Sequence, residues 1–117
     1  MATLNIGIMP REQFQKRLLS IAAGTYKPKK NEPKIWFNSM KSLSELLSEK
    51  NVRLLKIIDQ ENPESLKTLS ELSGRQVSNL SRTLKKMATY GIVTLEKYNR
   101  SLKPTVNATS FNISYQP

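Results

Sequence analysis

Gly74 separates two short apolar runs, and no other position restricts the folding of this chain as much. Before it, Ser65 opens a stretch in which Leu66, Leu69 and Leu72 recur every third residue. After it, Val77, Leu80, Leu84 and Met87 recur at steps of 3, 4 and 3. Apolar residues at such spacing line one face of a helix. Glycine tolerates the left-handed backbone that closes one helix and turns the chain into the next. The pattern predicts helices over 66–73 and 76–90, apolar stripes inward, with a tight turn between them. Gly91 stops the second helix. Two short helices joined in this way form a helix-turn-helix unit.

The flanking segments extend this pattern. Ser48 is placed to cap "EKNVRLLKIIDQE", where Val52, Leu55 and Ile58 form a stripe that Leu54 and Ile57 widen. "NPE" (62–64) breaks the chain. Downstream, "IVTLE" (92–96) reads as a strand and "KYNRSLKP" (97–104) as a turn. "TVNATSFNISY" (105–115) resumes alternation, and its change of parity implies a bulge or bend near Thr109–Ser110. Upstream, "TLNIGIM" (3–9) alternates as a strand does. Pro10 suits the start of a helix, and Phe14, Leu18 and Ile21 continue it until Gly24. "TYKPKKNEPK" (25–34) has the composition of a linker. "KIWF" (34–37) predicts a short strand and "SMKSLSELL" (39–47) a short helix. The expected fold is α+β and mainly helical: a winged helix-turn-helix domain over 35–117, preceded by a strand-helix extension and basic linker over 1–34.

Composition excludes several classes of function. Of 117 residues none is cysteine or histidine, which removes thiolate and imidazole metal sites and the commonest general base. The acids are scattered singly, and the four glycines form no phosphate loop. No enzyme, cofactor or metal site is expected. No apolar run is long enough to span a membrane and no secretory signal is legible, so a cytoplasmic protein is expected. No ligand pocket is legible either.

The net charge is +10, and its distribution matters more than its sum. Residues 1–34 carry 7 basic and 2 acidic residues, 35–71 carry 5 and 6, and 72–117 carry 7 and 1. A near-neutral middle lies between two basic ends, which favours a polyanionic partner. Between Glu71 and Glu96 there is no acid. Projection at about 100° per residue sets Arg82 opposite the apolar stripe of helix 76–90. Ser78, Asn79, Lys85 and Lys86 flank it, and Arg75 and Gln76 stand at the helix entry. In a helix-turn-helix the second helix enters the major groove, led by its N-terminal residues. Asparagine meets adenine, and arginine guanine, with paired hydrogen bonds. Lysines suit phosphates, which fix register without reading sequence. The hairpin after the helix is the expected wing, carrying Lys97, Asn99, Arg100 and Lys103 to the backbone or minor groove. Trp36 reads as a core anchor rather than a base-stacking platform, and "KPKK" (27–30) as a tether rather than a phosphate-tracking arm.

The stretch "SLKTLSELSGRQVSNLSRTLKKMATYGIVTLEK" (65–97) resembles the MarR-like winged helix-turn-helix regulators of bacteria and archaea. Most of the chain resembles a prokaryotic family of DNA-binding proteins, most specifically over 35–97. Some members of that family are encoded beside small toxin genes and are taken to be antitoxins. The resemblance implies that Arg75, Ser78, Asn79 and Arg82 belong to the reading helix, and it implies a homodimer on a two-fold operator. The expected function is a sequence-specific double-stranded DNA-binding transcriptional regulator, a repressor. Two alternatives stay open at this point. One is an antitoxin that binds a cognate toxin protein through 1–34 and represses its own operon. The other is a non-specific nucleic-acid binder that uses charge alone.

Overall fold

The computed structural model describes residues 3–117, and among them five helices and five strands form an α+β fold. In chain order they are β1 (Thr3–Ile8), α1 (Arg11–Ala22), β2 (Ile35–Phe37), α2 (Met40–Leu46), α3 (Glu49–Glu61), α4 (Leu66–Ser73), α5 (Val77–Thr89), β3 (Val93–Tyr98), β4 (Ser101–Val106) and β5 (Ser110–Tyr115). Contacts gather the described residues into two units, 46–110, and 3–45 with 111–117. The boundary expected after residue 34 falls inside the second unit. β2 pairs in parallel with β1, Ile6 opposite Ile35 and Ile8 opposite Phe37, and this pairing keeps 35–37 with the N-terminal segment. β5 joins the same sheet, whose strand order is β2-β1-β5.

In the 46–110 unit each helix is bounded by the residues its sequence supplies. The Ser48 side chain accepts from the Asn51 N–H, and the Ser65 side chain accepts from the Thr68 N–H. These caps satisfy donors that a helix N-terminus leaves open. Asn62 closes α3 with φ 47° and Gly74 closes α4 with φ 74°, each in the left-handed region. The Gly91 and Ile92 N–H groups donate back to Ala88 O and Met87 O, which ends α5. The core of the unit takes Leu54, Leu55 and Ile58 from α3, Leu66 and Leu69 from α4, and Leu80, Leu84 and Met87 from α5. Ile92, Val93, Val106 and Ala108 complete it.

Five expectations need correction. Leu72 is 45% exposed. Steps of three fall about 60° short of a full helical turn, so Leu72 has rotated well off the stripe that Leu66 and Leu69 define. Val77, the first residue of α5, is 44% exposed beside the turn. Leu18 of α1 is 47% exposed, and that helix has no fully buried residue. Finally, 97–104 is no long turn. β3 and β4 pair from Val93–Val106 to Tyr98–Ser101, and only Asn99 and Arg100 form the turn, with φ 47° and 68°. Positive φ at both central residues matches the right-handed twist of a hairpin. Residues 105–115 accordingly do not form one bent strand. β4 ends at Val106, and β5 starts at Ser110 in the other sheet.

In the second unit Ile6, Ile8, Phe37 and Leu43 are buried. Arg17 reaches from α1 to Glu32, 2.9 Å away, and its guanidinium lies 5.0 Å from the Trp36 ring centroid and 5.8 Å from that of Tyr26. The Tyr26 hydroxyl donates to the other Glu32 carboxylate oxygen.

Candidate nucleic-acid interface

Helix α5 presents two chemically distinct faces because its sequence does. Leu80, Leu84 and Met87 are fully buried, while Ser78, Arg82, Lys85 and Lys86 are exposed. Gln76 occupies the N-cap position, is exposed, and makes no capping bond with its side chain. No ion pair neutralises these cations among the described residues. The four exposed residues share the outer arc of one helix, as the projection expected.

Arg75 and Asn79 behave differently. Arg75 is half-buried, and burial holds its guanidinium below its ordinary pKa without removing the charge. Its Nε donates to Asn79 Oδ1 at 2.9 Å, Nη1 to Asn51 Oδ1 at 2.9 Å, and Nη2 to Thr83 Oγ1 at 3.3 Å. Asn51, on α3, donates from Nδ2 to Leu46 O at 2.9 Å. The Arg75 carbonyl accepts from Ser70 Oγ at 2.6 Å. The turn is thus tied to α3, α4 and α5 at once. Asn51 was not singled out by its sequence. Its neighbours Glu49, Lys50 and Arg53 are charged and exposed, so the local sequence carries no signal of its burial, although a buried amide needs partners.

The hairpin divides the residues expected at its tip. Paired residues of an antiparallel ladder point to the same side, and neighbours along a strand to opposite sides. Val93, Leu95, Pro104 and Val106 therefore share one face, and Lys97 continues that face opposite Leu102, where it is exposed. Lys103 stands on the other face opposite Glu96, with its Nζ 5.5 Å from the Tyr98 ring centroid. Asn99 and Arg100 are exposed at the turn. One end of the hairpin is basic, but its cations do not share a face.

A further basic cluster was not legible. Lys50, Arg53, Leu54 and Ile57 of α3 line a cavity of about 240 Å³ together with Ser73 and Arg75. Spacing along α3 alone does not show that its Lys50–Arg53 side meets the turn. The 3–45 and 111–117 unit holds a larger cavity of about 630 Å³, lined among others by Arg17, Tyr26, Glu32 and Trp36.

An acid-free basic helix after a tight turn, followed by a two-stranded hairpin, sits within the region that the family comparison covers. Residues 46–113 match the family described as HVO_A0114, and the chain belongs to that family. A solved structure described as "Crystal structure of the predicted DNA-binding transcriptional regulator from E. coli" is similar with a TM-score of 0.48 and 16% identity, over 84% of each chain. No curated protein matches the chain. No helix among the described residues is long and apolar enough to cross a membrane.

Proposed function

We propose that this protein is a double-stranded DNA-binding transcriptional regulator of winged-helix type. The observation that carries this reading is the exposed arc of Ser78, Arg82, Lys85 and Lys86 on α5, on a segment without acids from 72 to 95. In this reading α5 enters the major groove by its N-terminal turn, and Arg82 and the short polar groups reach base edges. Lys85, Lys86, Lys50 and Arg53 meet phosphates. The β3–β4 hairpin is the wing, with Lys97, Asn99 and Arg100 toward the backbone and Lys103 as a flanking cation. Repression and a homodimer on a two-fold site belong to the same reading, following the MarR-like resemblance. No catalytic step is assigned. Band shifts with random genomic fragments test it. A reproducible subset of shifted fragments is expected. Equal shifts for all fragments, or binding to RNA alone, would reject it.

A second reading is an antitoxin that also represses its operon. It is favoured by the apolar surface that α1 leaves open, with Leu18 47% and Leu19 70% exposed. Such residues suit a protein partner. Co-purification with the product of the adjacent gene is expected under this reading, and its absence counts against it.

A further inference from the structure

Among the described residues, every strand that ends a sheet is guarded except one. β2 is three residues long and follows Pro33 and Lys34. β3 carries Glu96 and Lys97, and β4 carries Lys103 and Pro104. Short length, charge and proline all discourage pairing with another chain. β5 has none of these, since its six residues are uncharged and hold no proline. It ends the β2-β1-β5 sheet, and no strand among the described residues pairs with its outer edge. Alternation decides what that edge presents. The Gln116 N–H donates inward to Ile8 O at 2.7 Å. Backbone groups of successive residues alternate between the two sides of a strand, so those of Phe111, Ile113 and Tyr115 point outward. Asn112 Nδ2 donates to Asn5 Oδ1 at 3.3 Å, which sets the even-numbered side chains of β5 on the Asn5 face. Phe111, Ile113 and Tyr115 therefore share the face of Ile6 and Ile8. Ile6 and Ile8 are fully buried there, but Ile113 is 49% and Tyr115 54% exposed. An open row of backbone groups thus runs beside an uncovered apolar strip.

We propose that β5 is the contact between two copies of this chain, paired antiparallel and edge to edge, with Ile113 on the two-fold axis. Two three-stranded sheets then become one. The inference gives a contact surface to the homodimer of the reading proposed above, and rests on that reading only for the expectation that two copies meet. Charge argues for a second copy as the occupant. The chain carries +10, so copies repel wherever their cations meet. Residues 104–117 carry no charge, and β5 can meet itself without that cost. The strand is also complementary to itself. A two-fold axis normal to the sheet keeps each face on its own side, so only residues of like parity pair. With Ile113 opposite its own copy, Phe111 meets the partner's Tyr115 and Asn112 meets the partner's Ser114, all within β5. With Asn112 on the axis instead, Tyr115 would face Thr109, outside the strand. Aromatic and β-branched cross-strand pairs stabilise such a ladder.

The test is sedimentation velocity of the full chain and its Ile113→Lys variant at micromolar concentrations, with circular dichroism to establish that both fold. The full chain is expected to sediment as a dimer. The variant sets two ammonium groups against each other on the axis, where like charges oppose pairing, and is expected to sediment as a monomer. A monomeric full chain, or a folded variant that stays dimeric, overturns the inference. A second measurement decides the matter if that variant does not fold. The chain has no cysteine, so Ile113→Cys supplies a single thiol. A short bismaleimide is expected to join two copies of Ile113→Cys, but not of Lys56→Cys, whose thiol stands on the exposed side of α3. No joined product from Ile113→Cys, or equal amounts from both variants, overturns the inference. Duplex preference is read separately on the same samples. A monomer that still prefers its upstream duplex sinks this inference alone, whereas a β5 dimer without that preference sinks the regulator reading alone.

Discussion

The indole ring of Trp36 lies on Gly7, its parallel register partner, in the space that a β-carbon on Gly7 would occupy. A methyl there would press into ring atoms Cζ3, Cε3 and Cη2. Gly7→Ala is expected to destabilise the 3–45 and 111–117 unit by about 1–3 kcal/mol, the usual cost of overpacking. Trp36 is the one tryptophan in the chain. Its fluorescence during urea unfolding reports this unit, and an earlier midpoint is the expected result.

Asn51 is buried with both ends of its amide engaged, by Arg75 and by Leu46 O. Asn51→Ala leaves a guanidinium N–H and a carbonyl without those partners. Loss of a buried hydrogen-bond partner costs about 1–3 kcal/mol. Helix unfolding followed by circular dichroism in urea should show that loss, whereas Lys56→Ala, on the exposed side of α3, should leave the midpoint in place.

Gly74 has φ 74°, and a β-carbon there would meet no atom within 4 Å. The cost of Gly74→Ala is therefore conformational rather than steric, about 1–2 kcal/mol for a left-handed non-glycine residue. Thermal unfolding checks this directly. A neutral result would mean that the turn adopts another backbone conformation.

The Tyr26 hydroxyl, and then Arg17, hold the Glu32 carboxyl below its ordinary pKa of 4.5. A depressed carboxyl contributes stability above its unfolded-state value and loses it as pH falls through the folded-state value. Tyr26 is raised above 10.0, first by its bond to Glu32, so its share is present below that pH and lost as pH rises through the folded-state value. Arg17 stacks on Trp36, so Trp36 fluorescence should change below pH 4.5 as this cluster opens. Glu32→Gln should remove the acid transition. An unaltered titration in that variant would show that another group is being observed.

Arg82 and Lys86 are both exposed on α5, yet their substitutions should differ in kind. Arg82→Ala should weaken the preferred duplex by about 1–3 kcal/mol relative to a scrambled one, as expected for a guanine contact. Lys86→Ala should weaken both duplexes nearly equally, as a phosphate contact does. Competition titrations with the two duplexes separate these outcomes.

What was legible in the sequence was local. Helix caps at Ser48 and Ser65, the stop at Gly74 and the buried stripe of Leu80, Leu84 and Met87 depend on neighbours within one or two turns. The exposed arc of α5 follows from the same period. The unread features all join distant positions. Arg75 reaches Asn51 across 24 residues, and β5 returns to a strand that begins at Thr3. The division of Lys97 and Lys103 between hairpin faces depends on register, which a one-residue shift would reverse. Placing the turn at Asn99–Arg100 fixes that register, and the wider turn expected from 97–104 concealed it.

The most direct measurement is fluorescence anisotropy of the full chain with a duplex from its own upstream region and a scrambled duplex of equal length. Both are titrated at low and at near-physiological salt. Phosphate contacts release counterions and fade as salt rises, whereas discrimination between base edges persists. A preference for the upstream duplex that survives the higher salt is the predicted result. Identical curves that weaken together would contradict the claim that α5 reads sequence.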